Sequence, residues 1–133
     1  MRFQSSTIYA TRILQYLYLN EKDIHTAAAT SQALGIAYPL FVKLANQLKR
    51  KGMIISVLGR SGGYKLARPA SEISFYDVFL SVEGSMEITR CLQGDKFCSR
   101  DASDYCQVHK FLLSLQENMV EQMAQRSIAD TVS

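Results

Sequence analysis

Apolar positions in this chain fall into blocks of changing period, and the first three blocks repeat every three to four residues. In "SSTIYATRILQYLYLN", Ala10, Ile13, Leu14 and Leu17 share one helical face with Tyr9 and Tyr16 beside it, and the leading serines offer an N-cap. "HTAAATSQALG" predicts a short helix from about Thr26 to Leu34, stopped by Gly35. "IAYPLFVKLANQLKRKG" predicts a third helix, with Pro39 in its first turn, Phe41, Leu44 and Leu48 facing inward, and Gly52 at its end. The pattern then changes to strand, glycine-rich turn and strand: Met53–Val57, a tip at Gly59–Gly63, and Tyr64–Ala67. A fourth helix opens at "ISFYDVFLSVEG", where Ser74 and Asp77 have capping-box spacing and Ile73 and Val78 have staple spacing. Finally, Val108, Leu112, Leu115, Met119 and Met123 recur along a long helix expected from about Ser103 to Ala129, and the ending "MAQRSIADTVS" is expected to fray. Such a stripe on a helix reaching past a small body packs on another helix, often one from a second subunit, or folds back on its own domain.

Composition narrows the class. The 133 residues suffice for one compact domain, or a small domain with a long accessory helix, and contain no repeat or low-complexity stretch. At 47% hydrophobic and 20% charged the chain reads as globular, neither disordered nor membrane-embedded. No apolar run approaches the roughly 18–20 residues that span a bilayer. The start "MRFQSSTIYATR" lacks the features of a signal peptide. The expected compartment is therefore a reducing cytoplasm, where clustered cysteines more often bind metal or react than form structural disulfides.

Charge is unevenly placed. Between Ile24 and Ser71 there is no Asp or Glu, while Lys43, Lys49, Arg50, Lys51, Arg60, Lys65 and Arg68 give that segment a net +7. The rest holds eight Lys/Arg against twelve Asp/Glu, a net −4. A positive segment inside an acidic chain fits a polyanionic partner. The element order (helix, short helix, tight turn, third helix, hairpin) is that of a winged helix-turn-helix, whose second motif helix enters the major groove of double-stranded DNA. Lys43, Asn46, Gln47 and Arg50 would face outward from that helix, with Tyr38, Pro39 and Val42 near its leading end. On the hairpin tip "GRSGGY", Arg60, Ser61 and Gly62 are the candidate DNA contacts, since bare backbone can approach phosphate or a minor groove. The structural alternative is a merely amphipathic third helix with a hairpin that only stabilises the fold.

The remaining chemistry lies in "CLQGDKFCSRDASDYCQVH", which holds all three cysteines and one of two histidines. Cys91, Cys98, Cys106 and His109 admit four readings. A zinc site has suitable ligand types, but zinc motifs pair cysteines closely and the gaps here are six and seven residues. A cysteine nucleophile paired with His109 lacks an identifiable orienting acid or oxyanion loop. Unligated thiols, or thiols that oxidise to a regulatory disulfide, form the third reading. The fourth is an iron–sulfur cluster, for which thiolates are the normal ligands and imidazole an occasional one, with Cys106 and His109 three apart on one helical face. His25 reads as a turn or cap residue.

The start "MRFQSSTIYATRIL", the segment "ALGIAYPLFVKLANQLKRKGMIISVLGRSGGYKLARP", the linker "SEISFYDVFLSVEG" and the cysteine loop before a long helix together resemble the IscR/NsrR/CymR-type (Rrf-two) winged-helix regulators over nearly the whole chain. The G-x-x-GGY-x-L-A wing after a K-x-G helix end is the most specific part. The resemblance implies a mainly α fold: a winged helix-turn-helix domain over 1–83, a cluster-binding loop over 84–103, and a dimerisation helix and tail over 104–133. It also implies a homodimer on a near-palindromic operator; a repressor is the expected role, and the DNA-binding body speaks against an enzyme. Cluster-binding members carry three cysteines in this loop, and IscR-like members use a His three residues beyond the third, which implies a 2Fe-2S cluster on Cys91, Cys98, Cys106 and His109. Zinc, or no cofactor at all, are the alternatives. The nitric-oxide-sensing branch takes an Asp from near the partner's N-terminus, where this chain has Ile8. Many members carry Arg before the first wing glycine, where this chain has Leu58, so Arg60 is expected to make the minor-groove contact. Positions that carry polar base-reading residues in IscR include Leu40 and Val42 here, so an IscR-like operator sequence is not implied.

Overall fold

The computed structural model describes residues 2–132. Three helices form the first half: α1 (Ser5–Leu19), α2 (Ala27–Leu34) and α3 (Tyr38–Arg50). A two-stranded antiparallel hairpin follows, β1 (Ile54–Val57) and β2 (Gly63–Leu66), with Ile54 opposite Leu66 and Val57 opposite Gly63. Then come α4 (Phe75–Glu83) and α5 (Gln107–Gln125). Short 3-10 turns sit at Ala70–Glu72, Arg90–Leu92 and Ala129–Thr131. The architecture is mainly helical with a small hairpin wing, as the sequence pattern predicts.

Local chemistry accounts for the element ends. Thr26 caps α2 by accepting from the Ala29 N–H at 3.1 Å. Gly35 closes that helix in the left-handed region (φ 65°), so the Ile36 N–H reaches the Ser31 carbonyl at 3.0 Å and the chain turns directly into α3. The α4 capping box forms in full: the Ser74 hydroxyl accepts from the Asp77 N–H at 3.0 Å, and the Asp77 carboxylate accepts from the Ser74 N–H at 2.9 Å. Ile73 and Val78, the staple pair, are both buried.

The start of α1 differs from expectation. The cap position is Gln4, without a side-chain cap, and Ser5 already lies in the first turn. Phe3 packs edge-on against Phe75 and Phe79, at 5.8 and 5.5 Å between ring centroids, and fixes the entry one residue early.

One core joins α1, α3, the hairpin root and α4 through Ile13, Leu14, Leu17, Phe41, Leu44, Leu48, Met53, Ile54, Ile73 and Val78. Ile128, from the segment expected to fray, belongs to it and is 0% exposed. The chain leaves α5 at Arg126 because that residue's carbonyl accepts from the Phe75 N–H at 2.8 Å, and the Ile128 N–H donates to Ile73 at 2.8 Å. The ending is thus clipped against the start of α4. A second, smaller cluster of Phe79, Met86 and Met123 holds the C-terminal half of α5 on α4, with Met119 packed against it.

The wing is anchored at His25. Its carbonyl accepts from the Tyr64 N–H at 2.9 Å, its ring meets Tyr16 edge-on at 5.2 Å, and its Nε2 lies 2.8 Å from the Asn20 carbonyl. Gly63 makes this approach possible, because a Cβ there would stand 1.9 Å from the His25 carbonyl oxygen. Gly63→Ala is therefore expected to push the wing off α1 and α2 and to lower stability by about 2–3 kcal/mol, read by thermal melting.

Candidate functional site

The basic segment forms α3 and the hairpin of the winged half. Tyr38 and Pro39 form the exposed leading turn of α3, and Lys43, Asn46, Lys49 and Arg50 are exposed along it. Gln47 is the exception among the predicted DNA-facing residues of α3. It is half-buried, its side-chain oxygen is covered, and with Arg50, Lys51 and Ser81 it lines a cleft between α3 and α4. Val42 is half-buried against the core.

On the hairpin, Arg60 and Ser61 are exposed, while Gly62 is buried within the turn. The tip glycines divide the work in a way the sequence does not announce. Gly59 adopts φ 109°, whereas Gly62 is required by space: its Cβ would lie 2.0 Å from the Val57 carbonyl oxygen. Of the seven basic residues, Arg68 is tied to Asp77 at 3.3 Å beside the α4 cap. The other six, Lys43, Lys49, Arg50, Lys51, Arg60 and Lys65, are exposed and form no ion pair among the described residues.

The cysteine loop runs from the end of α4 to the start of α5 and carries its own internal bonds. The Ile88 N–H donates to the Gln116 side-chain oxygen at 2.8 Å, tying the loop's beginning to the middle of α5. Arg90 grips Asp95 through both guanidinium nitrogens, with one contact at 2.7 Å, and covers the Phe97 ring at 5.0 Å. That Arg90 contact, helped by the Phe97 N–H, lowers the Asp95 carboxyl to about 2. Lys96 and Asp101 both take left-handed backbone (φ 51° and 54°), and the Ser103 hydroxyl donates to the Lys96 carbonyl at 2.7 Å. Neither Gln116 nor the Arg90–Asp95 grip was legible in the sequence, since their partners lie across a loop without periodicity.

The four candidate ligands are only partly gathered. His109 Nδ1 stands 3.2 Å from Cys91 Sγ. Cys98 and Cys106 do not join that pair, and among the described residues no three His, Cys, Asp or Glu side chains are grouped to hold a metal ion. Cys106 is the N-cap of α5 in extended conformation, so it does not share a helical face with His109; the helix begins at Gln107 rather than near Ser103. Cys98 sits in a tight turn where the backbone N–H groups of Ala102 and Arg100 pull its thiol below the usual value. All three thiols are unpaired with one another and half-buried.

The apolar stripe on α5 divides. Met119 and Met123 pack on α4, while Val108 (63% exposed), Phe111 (64%) and Leu115 (39%) continue the same side beyond the body. Phe111, absent from the predicted stripe, is the largest of these; its three-residue step from Val108 was the available signal.

A helical motif closed at Gly35, a basic second helix and a glycine-tipped hairpin on one core define a winged helix-turn-helix protein. Residues 3–133 match the Rrf2 family, described as an iron-dependent transcriptional regulator, and the chain belongs to that family. It is similar to the HTH-type transcriptional regulator IscR of Serratia proteamaculans, 31% identical over 134 residues, covering 100% of this chain and 80% of that protein. Protein aau3 of Rhizobium meliloti is 34% identical over 93 residues, 70% of this chain and 60% of that protein. Among solved structures, CymR, the global cysteine regulator of B. subtilis, superposes with a TM-score of 0.79 at 15% identity, covering 98% of this chain and 95% of that one. IscR of T. potens gives 0.75 at 17% identity, covering 98% and 85%. The class is therefore a winged-helix transcriptional regulator and not an enzyme. Among the described residues, no helix is long and apolar enough to cross a membrane.

Proposed function

We propose that this chain is a cytoplasmic, homodimeric repressor that grips a near-palindromic duplex operator with its basic winged half and adjusts that grip through the cysteine loop. The observation that carries the reading is the set of six exposed, unpaired cations on α3 and the hairpin, in a segment without a single carboxylate. Phosphate contacts from these residues position the protein, and the leading turn of α3, with Tyr38, Pro39 and Lys43, stands where base edges are read. Arg60 and Ser61 would approach the backbone or minor groove beside the half-site. The exposed Val108, Phe111 and Leu115 of α5, with the half-buried Leu112 between them, support dimerisation, because two such stripes bury each other.

Three thiols and an imidazole fit an iron–sulfur cluster in kind. Cys91 and His109 already meet, and Cys98 and Cys106 would have to close on them. A 2Fe-2S centre held by Cys91, Cys98, Cys106 and His109 would supply redox- and oxygen-sensitive chemistry at the root of the dimer helix. The protein's own part is mechanical. The Ile88–Gln116 bond couples the loop to α5, and a change in the loop biases how two recognition helices are spaced.

The separation of the thiols favours a second reading: a cluster-free regulator of the same fold, responding to thiol oxidation, a small molecule or a protein partner. Anaerobic purification with iron and sulfide analysis and a visible spectrum separates the two. The cluster reading predicts about two iron and two sulfide per chain, reduced or spectrally shifted in His109→Ala. Colourless, iron-free and sulfide-free protein after reconstitution would leave only the second reading.

A further inference from the structure

Leu58 is 93% exposed, well above the other exposed large apolar side chains of the molecule. It stands at the wing tip between Val57 and Gly59, and its position is held rather than loose. Gly59 turns the chain at φ 109°, the Gly62 N–H closes the turn on the Gly59 carbonyl at 3.0 Å, and Gly62 packs its bare Cα against the Val57 carbonyl. Leu58 and Arg60 therefore leave the tip on either side of one fixed glycine. Ile55 and Val57, alternate residues on β1, are exposed as well and share a face of the wing with Lys65, which lies opposite Ile55. The wing's charged side chains are Arg60 and Lys65, both exposed, and no acid lies within the segment.

We infer that Leu58 is a specificity-determining residue: it packs into the minor groove flanking each half-site and selects A·T base pairs there. This rests on the DNA-binding reading given above and deepens it. An apolar tip framed by cations suits a surface that is anionic at its rim and hydrocarbon within. The minor groove has that character, with phosphates at its edges and deoxyribose C–H groups along its walls. Its floor decides the sequence. A·T pairs present only acceptors, whereas a G·C pair adds the guanine N2 amino donor. A Leu side chain seated over that amino group strips it of water and returns no hydrogen bond, which costs affinity. A·T-rich tracts also narrow the groove and deepen its negative potential, drawing in Arg60 from the same turn.

The test uses the full-length protein and duplexes that it recovers from a random-sequence pool, with base pairs under the wing located by hydroxyl-radical protection. Replacing A·T by G·C at those positions is expected to weaken the wild-type protein about tenfold, in keeping with the lost burial of one aliphatic side chain. Inosine·C, which lacks the N2 amino group but keeps the G·C-like major-groove edge, should restore binding. Leu58→Ala should bind more weakly and discriminate less than about twofold between the pairs, while Leu58→Met retains the preference. Being exposed, the Ala variant should melt at the wild-type temperature, so lost discrimination is not lost folding. Undiminished A·T preference in Leu58→Ala, or inosine·C behaving as G·C, would overturn the assignment while leaving DNA binding intact. Recovery of no duplex at all would instead remove the DNA-binding reading, and this assignment with it.

Discussion

If the chain pairs through α5 as proposed, Phe111→Glu is expected to separate the two copies and to weaken binding to a two-half-site duplex by about a hundredfold or more. Phe111 is 64% exposed in the single chain and lies with Val108 and Leu115 in the half of α5 that precedes Met119 and Met123. Between two copies these residues would form the centre of a helix–helix seam, where a large aromatic anchor contributes most and an unpaired carboxylate is poorly tolerated. The substitution leaves Met119 and Met123, which hold the other half of the helix on α4, in place. The variant should therefore remain folded by circular dichroism yet sediment as a monomer. Each winged domain would keep its single-site affinity and lose the advantage of a tethered second one. A Phe111→Glu protein that still sediments as a dimer would place the interface elsewhere.

Ile128→Ala should lower stability by about 3 kcal/mol, a drop of roughly 10 °C in melting temperature for a domain of this size. Ile128 is fully buried among core residues from α1, α3 and α4. Its backbone completes the Ile73 contact at 2.8 Å, and Gln15 Nε2 donates to the Thr131 hydroxyl at 3.0 Å close by. The substitution leaves a cavity in the core beside Ile73, at the α4 capping box. A loss below about 0.5 kcal/mol, the range of ordinary surface changes, would show that the chain end is not part of the core.

What could be read in advance follows from the reach of each signal. The caps at Thr26 and Ser74, the stop at Gly35 and the inward face of α3 depend on residues within one or two turns of each other, and they stand as the sequence predicts. Ile128 carries no signal in the sequence because a lone Ile among polar residues has no periodicity; only the strand-like pairing of Ser127 with Ser74 gives it a place. Gly63 looked like a turn glycine, but its need is tertiary, set by a carbonyl thirty-eight positions earlier in the chain. Gln47 shares a helix with exposed neighbours, yet the packing of α4 on α3 places it in a cleft that Ser81 also lines. In the cysteine segment the residue types were plain and the meeting of Cys91 with His109 was not, because an aperiodic loop with left-handed turns at Lys96 and Asp101 decides which side chains converge.

Binding of the full-length protein to its selected duplex, followed from roughly 50 to 200 mM salt, tests the central claim most directly. The six exposed cations on α3 and the wing predict a steep fall of affinity with salt. Lys43→Ala and Arg60→Ala should each weaken binding and reduce the slope by about 1 in log–log form. Affinity and slope left unchanged by both substitutions would contradict the assignment of this face to DNA.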